Sequence, residues 1–136
     1  MRFETSKDID REQKAITTFC NAYKLDYKKL DEWDVDFKLL KNNSLITYAE
    51  VKGRLKNAAD AFPLPLAIRK VYKLCEKTPD PVIIWSCYDG ILYAKLKSLK
   101  GYIRQGGRKP RDGSANDIEL MAYYDNQETI RFLKWD

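Results

Sequence analysis

The stretch WDVDFKLLKNNSLITYAEVK, Trp33 to Lys52, decides how the chain reads. Apolar residues alternate on either side of the polar tetrad Lys41-Asn42-Asn43-Ser44, the pattern of two strands joined by a turn. In the first strand Trp33, Val35, Phe37 and Leu39 share one face, and Asp34, Asp36, Lys38 and Leu40 share the other. In the second, Leu45, Thr47, Ala49 and Val51 face one way while Ile46, Tyr48, Glu50 and Lys52 face the other. Hairpin pairing would gather three carboxylates and a lysine, a grouping that suits a metal site better than a solvated surface.

Composition narrows the chemistry open to such a group. The 136 residues hold no histidine, which removes Ser-His and Cys-His dyads, imidazole bases and histidine-bound zinc or iron. The three cysteines, Cys20, Cys75 and Cys87, are far apart and form no CxxC pair, so a structural zinc or a disulfide framework is not expected. Neither a GxxxxGK[ST] loop nor a GxGxxG turn is present. Catalysis would therefore rest on carboxylates, lysines, arginines or hydroxyls, and carboxylate oxygens suit magnesium and manganese.

Length predicts a single domain with a real core, and 44% hydrophobic with 33% charged residues is an ordinary globular balance. No apolar run approaches a membrane span and MRFETSKDIDRE lacks a signal-peptide segment, so a cytoplasmic protein with no membrane partner is expected. Net charge is +5 and unevenly spread: from Gly90 to Arg111 there is no acidic residue, but seven lysines and arginines. That distribution fits a polyanionic partner.

Outward from the central stretch, Asp8 to Tyr23 reads as an amphipathic helix with Ile9, Ile16, Phe19, Cys20 and Tyr23 on one stripe. Glu12 lies on that stripe, either as a first-turn acid or at the edge of a cleft. Lys24 to Glu32 reads as a connector and Gly53 to Phe62 as a loop. A second helix is predicted from Pro63 or Pro65 to Lys77, burying Leu66, Ala67, Val71, Leu74 and Cys75. Val82 to Tyr88 and Ile91 to Leu96 read as strands around Asp89-Gly90, the first buried on both faces. Lys97 to Asp117 reads as a long basic loop. Ile118 to Tyr124 and Thr129 to Leu133 read as short strands, or a strand and a helical turn.

Helix with Glu12, strand with aspartate, strand with Glu50-Val51-Lys52, basic helix and buried strand, in that order, resemble the PD-(D/E)XK nuclease superfamily. The likeness is to its restriction-endonuclease-like and Holliday-junction-resolvase-like members, and within these to small phage and prophage nucleases. The resemblance implies an α/β fold, a restriction-endonuclease-like mixed central sheet flanked by helices. It also implies one nuclease domain over residues 1–136, with a core at about 8–96, a basic loop at 97–117 and C-terminal strands at 118–134. It further implies a divalent-metal-dependent DNA endonuclease, with Mg2+ as cofactor and Mn2+ able to substitute, acting in a bacterial host's cytoplasm if phage-encoded.

Carried over by position, the resemblance assigns metal binding to Asp36, with Asp34 as its alternative, to Glu50, to the Val51 carbonyl and to Glu12. Lys52 becomes the catalytic lysine. Lys70, with Arg69 and Lys73 as rivals, becomes the second-helix residue that meets phosphate or water. No proline precedes either aspartate, a departure from the family pattern that leaves the choice between them open. Arg54, Lys70, Lys73, Arg104, Arg108, Lys109 and Arg111 are the expected contacts to a DNA backbone. Tyr88, Tyr93 and Tyr102 are candidates for base stacking. DNA, structured or duplex, is the expected partner, and a homodimer would suit cutting of both strands. The other classes are a non-catalytic nucleic-acid-binding module and a phage accessory protein on the same fold.

Overall fold

The computed structural model describes residues 6–31, 35–107 and 118–135. Helix α1, Ser6–Tyr23, buries Ala15, Ile16, Phe19 and Cys20 at helical spacing. Full burial of a side chain such as Ile16 or Phe19 contributes about 1.5–3 kcal/mol. The stripe is shorter than its sequence spacing indicates, since Ile9 and Tyr23 at its ends remain about half exposed. The expected connector contains a strand, β1 (Asp26–Lys29), paired antiparallel with β2 (Phe37–Lys41).

The hairpin of β2 and β3 (Ser44–Gly53) turns tightly at Asn42 and Asn43. Both have positive φ, 51° and 65°, as the twist-matched two-residue hairpin turn requires. Parity holds along β3: Ala49 and Val51 face one core, Tyr48 the other, and Glu50 shares Tyr48's parity. It breaks just before β2. Val35 and Phe37 are two residues apart yet pack into different cores, because the chain bends at Asp36. Trp33 and Asp34 lie outside the described residues.

The predicted helix start is displaced. Leu64–Ala67 is a strand, β4, and α2 begins only at Ile68 and runs to Lys77. Leu66, Ala67 and Leu74 are buried as expected, but Leu66 and Ala67 lie in β4, and Cys75 is exposed. The later start changes which residues α2 turns inward. β5 (Val82–Ser86) is buried at every position, as its apolar run indicates. It is followed by β6 (Gly90–Lys95). Within the expected basic loop, Tyr102–Gly107 is a strand, β7, paired antiparallel with β8 (Ile118–Tyr124). β9 (Arg131–Lys134) closes the chain.

These strands make two sheets. The larger, in the order β1-β2-β3-β5-β6-β9, is mixed: β3 and β5 run parallel and every other pair is antiparallel. The smaller has the order β4-β8-β7. The crossover from β3 to β5 carries β4 and α2. Alternation along β5 divides the interior, with Val82 and Ile84 packing against α1, and Ile83 and Trp85 against α2 and the small sheet. The indole of Trp85 is fully buried and donates to the Pro65 carbonyl at 2.9 Å, tying the small sheet to the large one. The result is the α/β restriction-endonuclease-like architecture, a mixed sheet flanked by helices. No helix among the described residues is long and apolar enough to cross a membrane.

Candidate active site

Glu50 lies on β3, the strand that joins the antiparallel and parallel halves of the large sheet. It is 5% exposed, and its Oε2 lies 3.3 Å from Lys70 Nζ on the first turn of α2. Its Oε1 is buried and finds no hydrogen-bond partner among the described residues. Burial pushes the Glu50 carboxyl up to about 8. The Asp36 charge and a hydrogen bond shared with Asp36 push the same way, while Lys70 pulls against them. Two carboxylates this near each other repel when both are ionised, which adds to the upward push on Glu50.

Asp36 stands at the bend before β2. Its Oδ2 accepts the Val51 backbone N–H at 2.8 Å, which fixes the aspartate against β3 one residue beyond Glu50. Its Oδ1 lies 3.7 Å from Lys29 Nζ. Lys29 in turn pairs with Glu12 Oε1, so Glu12 of α1 reaches the same place through a lysine bridge. The Lys29 ammonium also sits 4.9 Å over the Phe37 ring.

The structure thus gathers four of the expected residues, Glu12, Asp36, Glu50 and Lys70. At Val51 it is the N–H that is tied to the site. Lys52 is half-buried, two residues along β3 from Glu50, and so on the same face by strand parity. Lys29 was absent from the sequence expectation. Three of the four residues in β1 are charged, and its one aromatic, Tyr27, gives no alternation to read.

Other expected contacts are spread wider. Arg54 donates to the carbonyls of Ala61, at 2.8 Å, and Pro63, at 3.5 Å, bracing the turn before β4. Arg69 points away from Glu50 and meets Glu119 of β8 at 3.0 Å. Lys73 is half-buried on α2. Arg104 lies 5.5 Å from the Tyr123 ring centroid, with Tyr102 stacked on that ring at 5.6 Å. Arg108, Lys109 and Arg111 lie outside the described residues. Tyr93 is buried and hydrogen-bonded to the Tyr23 hydroxyl at 2.7 Å, so it has no face for a base, whereas Tyr88 is exposed.

Among the described residues no three acidic or thiol groups converge tightly enough to hold a metal by themselves. Lysine ammonium groups stand among the carboxylates instead. The donor set nonetheless fits a hard cation: two neighbouring carboxylates, one with an orphaned buried oxygen, gain from a positive charge that displaces the proton burial holds on Glu50.

The family model described as "Phage putative PDDEXK endonuclease" matches residues 1–131 of the chain. No curated protein and no solved structure matches it.

Proposed function

The chain belongs to this PDDEXK family of phage proteins, and on that premise we propose that it hydrolyses DNA phosphodiester bonds with a divalent cation held by Asp36 and Glu50. The observation that carries the proposal is the buried Asp36–Glu50 pair, with one oxygen unpartnered and lysines on either side. Magnesium is the expected ion, with manganese substituting. When bound, such an ion supplies a Lewis acid at the phosphate and acidifies a coordinated water.

The chain's own residues do the rest, and residues 1–136 act as one nuclease domain. Asp36 and Glu50 hold the cation, with Val51 and Glu12 as further ligands. Lys52 orients the attacking water and stabilises charge developing on the phosphate. Lys70, already on Glu50, is placed to meet a phosphate oxygen once Glu50 turns to the cation. Lys73, Arg54 and the basic segment with Arg104, Arg108, Lys109 and Arg111 contact the strand backbone.

The test is a panel of linear, nicked and branched DNA incubated with magnesium, with manganese and with chelator. Cleavage is expected only with metal, and Glu50→Gln and Lys52→Ala should each lose at least about a hundredfold in rate while still binding DNA. A chain that cuts nothing, or a Lys52→Ala variant as fast as wild type, overturns the proposal. One observation favours a second reading as a non-catalytic DNA-binding module: the acidic groups already have lysine counterions. Salt-sensitive binding without cleavage under any metal is the signature of that reading.

A further inference from the structure

Lys29 spans two of the site's carboxylates, drawn from different elements. Its Nζ pairs with Glu12 Oε1 on α1 and lies 3.7 Å from Asp36 Oδ1 at the bend before β2. Both acidic side chains are largely buried, 11% and 14% exposed, whereas Lys29 is 45% exposed on the edge strand β1. Two carboxylates taken out of water beside a third at Glu50 repel one another strongly unless a positive charge lies among them. The arrangement is also asymmetric. Glu50 has Lys70 from the α2 side, while the lysine between Glu12 and Asp36 stands half exposed on an edge strand.

We infer that Lys29 is a positioning residue that serves as the site's resident counterion, keeping Glu12 and Asp36 assembled before a divalent ion arrives and competing with that ion for their oxygens. The inference rests on the metal-dependent reading above. A divalent ion held by Asp36, with Glu12 as a further ligand, would draw on the carboxylates that Lys29 now pairs with, so its uptake would displace the Lys29 ammonium. The lysine then acts twice on the affinity: it must be displaced, and its charge stays close enough to oppose the ion.

The experiment uses the full chain and free Mn2+ as the probe, measured by calorimetry and by the spin-resonance signal of unbound manganese, with melting in chelator as a second readout. Lys29→Met keeps the stem and removes the charge. It should bind Mn2+ about tenfold more tightly than wild type, and its melting temperature in chelator should be lower, because two buried carboxylates have lost their counterion. Lys29→Arg keeps the charge and should restore wild-type behaviour in both, which a loss of packing alone would not do. If Lys29→Met folds poorly, Lys29→Gln makes the same comparison with a hydrogen-bonding stem. Unchanged or weaker Mn2+ binding in the neutral variants, with wild type still binding the ion, overturns the counterion role alone. A wild type that binds no Mn2+ overturns the metal-dependent function and the counterion role together.

Discussion

Glu50 gives the folded chain a pH dependence opposite to that of most acids. Its carboxyl is held up to about 8, against 4.5 for an ordinary glutamate. Below the lower value both folded and unfolded states carry the proton, and there is no difference between them. Between the two, the unfolded chain has released its proton and the folded chain has not, so stability falls as pH rises and levels off above the upper value. Metal-free protein should therefore melt lower near about pH 8 than near about pH 5, once Glu50→Gln is used to subtract every other group. A Gln variant with the same slope as wild type would assign the dependence elsewhere. Added manganese should recover the loss at the higher pH, because the ion takes the deprotonated form. At this scale the shared face of Glu50 and Lys52 was legible from strand parity. The place of Asp36 was not, because the chain bends there, and neither was that of Lys29, because a short strand of mostly charged residues has no periodic signal.

Elements follow local rules where the deciding residues are neighbours. The two-residue turn at Asn42-Asn43 is one case: both positions take positive φ, which asparagine tolerates and glycine takes without cost. Asn43→Gly should stabilise the hairpin by a few tenths to about 1 kcal/mol, read as a higher denaturant midpoint with unchanged slope. Gly90 is a second case, at the start of β6. A Cβ there would strike the Leu133 carbonyl oxygen and the Lys134 backbone across the β6–β9 pair. Gly90→Ala should therefore loosen β9, seen as faster amide exchange over Arg131–Lys134 while β3 and β5 stay protected. Local rules failed between Pro63 and Ala67. Proline is accepted both in a helix's first turn and in a sheet, and the choice is made by β8, where Leu64 pairs with Tyr124 and Ala67 with Met121. That partner lies more than fifty residues away, beyond the reach of periodicity.

Across the whole molecule, both helices and the strands β2, β3, β5, β6 and β8 were readable, while β1, β4 and β7 and the two-sheet arrangement were not. Alternation predicts strands but does not say that β8 leaves the main sheet for β4 and β7, or that β9 returns to β6. The charge layout was readable and sets a prediction. Basic residues between Lys95 and Arg111 are unopposed by acids in sequence, although in the fold Lys95 and Lys97 each lie 3.5 Å from Asp80. Neutralising Arg104, Arg108 and Arg111 together should lower the slope of log affinity against log salt by about 2–3, if each contacts a phosphate. Equal slopes for wild type and variant would remove that segment from the DNA interface.

The bend at Asp36 sends Val35 to the core beside α2 and Phe37 to the core beside α1. A strand keeps its faces through single substitutions but exchanges them on a one-residue insertion or deletion. Here such a slip on either side of the bend would drive an apolar side chain into the wrong core and carry the carboxylate away from the Val51 N–H. The two hydrophobic anchors thus act as a reading frame for the acid between them. Drift in the surrounding sequence can change what flanks the aspartate, but the length of chain from core to core is fixed, and with it the place of the carboxylate.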